Sequence, residues 1–310
     1  MQELASGLRF PEGPVALPDG SVLAVEIHGR TLTRISASGE KRVVAALAGG
    51  PNGAAIGPDG RCYVCNNGGL NFHVKDGVTF PGLPPDDYAG GWIESVDLET
   101  GESRVLYRSA GDIQLRGPND LVFDRHGGFW FTDTGKVMSR QRDRGAVFYA
   151  TIDGKHIRQA IFPVDGANGI GLSPDDGTLY VAEGPSGRVW AYEIAAPGEI
   201  RRFRGPVPWE RGRLLAGLGG NTRFDSLAVD GDGNVCVATM PHGGISVIAP
   251  DGRLVDQIPM PDPFTTNICF GGPDLRTAYI TLSSTGKLIA MPWPRAGLPL
   301  YWLNRRPAPA

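Results

Sequence analysis

The sequence predicts an all-β fold: one domain over residues 1–310, a six-bladed β-propeller whose four-stranded antiparallel blades surround a central channel. Three observations predict it. One hairpin-like unit recurs six times along the chain. The 45 Gly and 26 Pro fall at fixed places inside that unit rather than in a linker. No stretch carries the 3.6-residue apolar period of an amphipathic helix, so a doubly wound or barrel α/β architecture is disfavoured.

The copies are Phe10–Ile27, Gly50–Asn67, Gly117–Thr134, Gly166–Gly184, Arg223–Met240 and Thr265–Ser283. Each has one polar residue, then a short apolar strand and a turn that usually contains Asp-Gly. A second strand rich in Val, Tyr, Phe and Trp follows, which is the composition of a hairpin. Every copy then has a third strand: Thr31–Ser36, Trp92–Leu98, Ala146–Ile152, Arg188–Ile194, Gly244–Pro250 and Lys287–Trp293. A fourth usually follows, and four strands repeated six times make a propeller. The last blade must take its fourth strand from a chain terminus, Leu4–Phe10 or Leu300–Leu303, and the sequence leaves both open. Residues 305–310 are expected to form a flexible tail.

Composition removes several function classes. Lys and Arg number 30 against 33 Asp and Glu, a net charge of −3, and no block of like charge stands out. A phosphate backbone or an anionic membrane finds no footprint here. No run approaches the ~18 apolar residues of a spanning helix, and Met1-Gln2-Glu3-Leu4-Ala5 is not the basic start of a secretory signal. The expectation is a cytoplasmic protein, monomeric or weakly dimeric, with no nucleic-acid or membrane partner. Four cysteines are too few for a disulfide framework, and Cys62 and Cys65 sit in an alternating strand, so buried free thiols are expected. Dinucleotide and P-loop motifs are absent, and Gly184-Pro-Ser-Gly-Arg breaks the nucleophile-elbow pattern at its last position. Asp230-Gly-Asp-Gly-Asn resembles part of a calcium loop, but Val235 stands where Gly is required, so a hairpin turn is favoured.

In a propeller the innermost strand of each blade lines the channel, so the residues that begin these strands converge at one mouth. Read from the six copies, that position holds Glu12, Asn52, Asn119, Asn168, Asp225 and Asn267. Two carboxylates and four amides around one axis, with no Lys or Arg among them, make a poorly compensated cluster unless a cation fills it. An all-oxygen donor set suits one hard divalent ion, Ca²⁺ ahead of Mg²⁺ and Mn²⁺, with Zn²⁺ or iron behind them for want of His and Cys. The plain alternative is that Asn suits a tight turn before each strand. That accounts for Asn52 and Asn267, and accounts poorly for Glu12 and Asp225.

The series Pro11-Glu12-Gly13-Pro14, Pro118-Asn119-Asp120, Ala167-Asn168-Gly169 and Phe224-Asp225-Ser226-Leu227 resembles the senescence-marker-protein, gluconolactonase and luciferin-regenerating-enzyme family, over nearly the whole chain. The resemblance implies a six-bladed propeller with one catalytic divalent metal at the channel mouth. It implies Glu12, Asn168 and Asp225 as direct ligands, with Asn119 as a fourth group binding metal or substrate. It also implies a small lactone as substrate, although some relatives cleave phosphorus–fluorine bonds. Phe131-Thr132-Asp133 resembles a segment of the bacterial lactonases whose Asp lies beside the metal, which makes Asp133, with Asp225, a candidate catalytic carboxylate.

Strand direction returns the loop between second and third strands to the metal face. The longest such loop, Asn66 to Gly91, is a candidate lid; a disordered excursion is the alternative. The loop Thr134 to Gly145 is basic, with Lys136, Arg140, Arg142 and Arg144. Candidate substrate contacts are Asn119, Ser226, His73, His242 and Arg116, the histidines competing with plain surface roles. The Arg-rich stretch from Arg201 to Arg213 is expected on an outer strand. Three functions follow: a metal-dependent lactonase with a carboxylate activating water, a phosphotriesterase or fluorophosphatase using the same site, and a binding platform whose metal is structural.

Overall fold

Every one of the six hairpin copies opens an antiparallel sheet of at least four strands in the computed structural model, which describes residues 1–207 and 210–305. From the axis outward, blade 1 runs Pro11–Ala16, Val22–Glu26, Thr31–Ile35 and Lys41–Ala46. The inner strands of blades 2 to 6 are Pro51–Ile56, Pro118–Phe123, Ala167–Leu172, Arg223–Val229 and Thr265–Gly271. The expected all-β six-bladed propeller is therefore the fold observed.

Why both faces of each strand are apolar is clear from the packing. Leu121 and Phe123 of blade 3 face Tyr63 and Ile93 of blade 2, while the intervening Val122 joins Ile170 and Leu172 of blade 4. Alternate residues thus feed the two neighbouring interfaces, and an apolar cluster lies between each successive pair of blades. The outer strands, solvated on one side, alternate or lose apolar character, as Lys41–Ala46 and Leu254–Pro259 show. The four cysteines are buried free thiols.

The N-terminus closes the ring. Gln2–Ala5 pairs antiparallel with Lys287–Pro292, Gln2 opposite Ala290 and Glu3 opposite Ile289, and so removes the open edge of the last blade. Leu300–Leu303 is not a strand. The C-terminal segment instead crosses the far end of the channel: Leu298 N–H donates to Val229 O (3.0 Å), the Tyr301 hydroxyl to Asp176 (2.6 Å) and Trp302 Nε1 to Asp124 O (2.9 Å). Residues 306–310 of the expected tail lie outside the described residues.

The Arg-rich stretch corrects its expectation. The outer strand of blade 4 is Arg213–Gly217, so only Arg213 enters it, and Arg201, Arg202, Arg204 and Arg211 lie before it outside any strand. The long loop of blade 2 is not irregular throughout: Phe72–Lys75 and Val78–Pro81 form a hairpin turning at Asp76-Gly77, both with positive φ.

Candidate metal centre

Each inner strand carries one extra residue near its start. The register against the second strand slips between Glu12 and Val15, Pro51 and Ala54, Pro118 and Leu121, Ala167 and Ile170, Phe224 and Leu227, and Thr265 and Asn267. Such a bulge re-aims the side chains around it. It also fixes which residues are equivalent. Thr265 pairs with Leu282 and Ile268 with Ile280, as Pro118 pairs with Asp133 and Leu121 with Phe131. The blade 6 counterpart of Asn119 is therefore Thr266, and the expected place of Asn267 in the series is off by one residue.

The position after the bulge forms a second layer: Gly13, Gly53, Asp120, Gly169, Ser226 and Asn267. At Gly13 (φ +49°) a Cβ would fall 2.6 Å from Asn52 O, and at Gly53 2.4 Å from Asn119 O. Neighbouring inner strands approach backbone to backbone there, which only Gly permits. Where blades 3, 5 and 6 substitute Asp120, Ser226 and Asn267, polar side chains support the first layer. Asp120 is a buried carboxylate beside the first layer that motif reading did not single out. Its signal was a carboxylate in a column that is Gly in three copies.

Hydrogen bonds tie the layers together. Glu12 Oε2 accepts from Gly13 N–H and from Asn267 Nδ2, both at 2.9 Å. Asp120 Oδ1 accepts from Leu121 N–H (2.9 Å), and Thr132 Oγ1 donates to Asn168 O (2.5 Å). Ser226 Oγ lies 3.5 Å from Asn168 Oδ1. Burial pushes the Asp120 carboxyl up to about 7, with the charge of Glu12 adding to it. Burial raises Glu12 as well, and raises Asp225 well above the usual carboxylate range with help from Glu12 and Asp120.

Three buried carboxylates that repel one another want a cation. Asn119 Oδ1, buried and without a hydrogen-bond partner, is an orphaned carbonyl oxygen of the kind a cation would take up. The donors are all oxygen, which fits a hard divalent ion held by Glu12, Asn168 and Asp225 with Asn119 beside them. Among the described residues no group of three or more His, Cys, Asp or Glu forms a metal cage unaided, so this donor set depends on its amides.

A stability test follows from the raised carboxyls. In metal-free protein Asp120 and Glu12 hold protons that the unfolded chain releases above its ordinary carboxylate values near 4, so their stabilising contribution is full below that pH and is lost as pH rises through about 7. Chelated protein is expected to lose roughly 5 °C of melting temperature between about pH 5 and pH 8, and saturating Ca²⁺ to abolish the loss. A flat profile after chelation would contradict the clustering of these charges.

The other candidates are dispersed. Asp133 is buried, and its oxygens accept from the backbone N–H of Arg116 (2.7 Å), Gly117 (2.7 Å) and Gly135 (2.9 Å). It is committed to holding the chain that leads into Asn119. Arg116 is exposed, with its Nε 3.8 Å from Asp143. His73 is exposed on the blade 2 hairpin, 6.4 Å from the Phe80 ring centroid, and His242 is exposed in the turn between Val235–Met240 and Gly244–Ile248. Ser226 and Asn119 are the substrate candidates brought to the centre.

Below the polar layers the channel is apolar. A cavity of about 100 Å³, walled by residues such as Val15, Ile56, Leu121, Leu172, Val229 and Ile268, reaches from Asp120 and Asn267 to the C-terminal segment. Low polarity beneath the carboxylates accounts for their raised values from that side.

Residues 10–284 match the family model described as SMP-30/Gluconolactonase/LRE-like region. The chain is similar to lactonase drp35 of Staphylococcus saprophyticus, 28% identical across 78% of this chain and 67% of that protein. It is also similar to the gluconolactonase of Zymomonas mobilis, 26% identical across 91% of this chain and 79% of that one. Among solved structures, the calcium-binding protein regucalcin from Agrobacterium tumefaciens superposes with a TM-score of 0.73 at 19% identity, covering 97% of both chains, a likeness of fold.

Proposed function

Because the chain belongs to the SMP-30/gluconolactonase/LRE-like family, we propose that it hydrolyses a small lactone with one divalent cation held by Glu12, Asn168 and Asp225 and with Asn119 as the fourth group. The observation that carries the metal is the buried, unpartnered Asn119 oxygen in a layer with no basic side chain. Calcium is favoured by the all-oxygen donors, and the calcium-binding neighbour of the same fold supports that choice. When bound, the cation supplies a Lewis acid for the ester carbonyl and a counter-charge for the oxyanion that develops.

The rest of the reaction falls to the chain. Asp225 accepts a proton from water as the water oxygen bonds to the carbonyl carbon. It returns that proton to the ring oxygen as the ring C–O bond breaks, leaving a hydroxy acid. Asn168 hydrogen-bonds Asp225 and orients it. Asn267 and Gly13 hold Glu12 in one rotamer, so the ligand carboxylate is fixed before substrate arrives. Asp133 is less suited than Asp225 to the role of base, because three of its roughly four lone pairs already serve backbone donors.

A panel of aldonolactones and simple alkyl lactones, followed by proton release, tests the activity. Turnover is expected for at least one lactone, with open-chain esters and phosphotriesters at least ~100-fold poorer in kcat/KM. A panel without any lactone turnover would overturn the proposal, and a phosphotriester favoured over every lactone would replace it with the second hydrolase reading.

A further inference from the structure

Lys136 stands out beyond the metal centre. It lies in the loop between the second and third strands of blade 3 and is only 3% exposed. Its Nζ donates to Gly69 O at 3.0 Å and to Asn67 Oδ1 at 3.4 Å, and the Tyr88 ring centroid is 5.1 Å away. None of the ion pairs among the described residues includes it. Burial lowers the ammonium to about 7, and Asp133 partly offsets that. Lysine is almost never this buried without a carboxylate partner, so the position is expensive for the fold.

All three of these ammonium contacts are to the blade 2 insertion 67–91. On the same side, the Tyr88 hydroxyl donates to Arg116 O (2.6 Å) and Gln114 Nε2 to Ala89 O (3.0 Å), so this end of the insertion is fastened to the approach to blade 3. The hairpin at its other end is seated on blades 1 and 6. The Phe72 ring lies 5.1 Å from Phe10 and 4.6 Å from His28, Phe80 lies 5.8 Å from Phe264, and Thr79 N–H donates to Ser284 O at 2.9 Å. Phe10 and Phe264 lead directly into Glu12 and Thr266. The insertion is therefore anchored beside blades 3, 1 and 6, and none of these anchors touches blades 4 and 5, which contribute Asn168 and Asp225.

We propose that Lys136 is a positioning residue: a buried latch that holds the 67–91 insertion over one side of the channel mouth, so that substrate meets the metal centre from the side of blades 4 and 5. A cation suits the task better than an apolar side chain because one ammonium can bind two oxygens and a ring face that lie in different directions. The kinetic arm of the test rests on the lactonase reading; the exchange arm does not.

Hydrogen exchange is measured on wild type, Lys136→Met and Lys136→Arg, together with KM and kcat for the best lactone of the panel. In Lys136→Met, amides of residues 67–91 are expected to exchange at least ~10-fold faster while the strands of blades 4 and 5 stay as they were. KM is expected to rise about tenfold with kcat within about threefold, and Lys136→Arg, which keeps the charge and the donors, to bring both back within about threefold of wild type. Exchange within about twofold of wild type, or faster exchange with an unmoved KM, overturns the latch. Should Lys136→Met fail to fold, Tyr88→Leu removes the ring and the bond to Arg116 with Lys136 in place, and must produce the same local acceleration or the proposal falls. A wild type that opens no lactone sinks the lactonase reading, and the exchange result then decides the latch alone.

Discussion

Asp225→Asn is expected to fold normally and to show a kcat at least ~100-fold below wild type at saturating metal. The substitution keeps the shape and the bond from Ser226 N–H, and removes the negative charge and the basic lone pair. Lost general-base catalysis costs ~10²–10⁴ in rate, and weaker metal binding would add to it below saturation. Burial and the charges of Glu12 and Asp120 also raise Asp225 well above the usual carboxylate range. A cation beside it would remove that penalty and leave a carboxylate ionised and close to water. A variant retaining more than about a tenth of wild-type kcat would take Asp225 out of the proton transfer.

Asp133→Ala is expected to do the opposite: to cost about 4 kcal/mol of stability, or roughly 10 °C in melting temperature, while the folded fraction keeps kcat within about tenfold. Three backbone N–H groups lose a charged acceptor at once, and two of them are buried. The same place in other blades does the same work. Glu26 accepts from Arg9 N–H (2.6 Å), Asn66 from Gly50 N–H (2.8 Å) and Glu183 from Asp165 N–H (2.9 Å). Each of these residues ends a second strand opposite the first residue of its inner strand. A device repeated in four blades belongs to the architecture. Assays of kcat and thermal unfolding on the same sample separate the roles: an Asp133→Ala that melts like wild type but loses about a hundredfold in kcat would make it the base after all.

Six hairpins, their third strands and the ring of polar residues were legible because each rests on local pattern: period-2 apolar runs, Asp-Gly turns, and one polar residue near the start of every inner strand. The bulge was not. An extra residue in one strand leaves no mark in composition, and so Asn267 was placed in the first layer where the register puts Thr266. Asp120 escaped for the same reason, since its role depends on which of two adjacent residues the bulge turns toward the neighbouring blades. The backbone role of Asp133 was not legible because a carboxylate that caps backbone N–H groups and one that serves a metal look alike in a motif; its three hydrogen bonds supply what the motif lacks. Closure by Gln2–Ala5 rather than by Leu300–Leu303 is a long-range pairing to which both termini were open in composition. The latch at Lys136 is similarly non-local, its oxygen partners being 67 and 69 residues away in the chain.

The central claim is that lactone opening depends on one divalent ion in the ring of Glu12, Asn168 and Asp225. The measurement that tests it most directly is proton release from the best lactone of the panel by exhaustively chelated protein, with Ca²⁺, Mg²⁺ or Mn²⁺ then titrated back. The account predicts at least ~100-fold lower kcat after chelation, recovery that saturates at one ion per chain with Ca²⁺ among the effective metals, and a right-shifted titration for Glu12→Gln. Full activity in demetallated protein would contradict it.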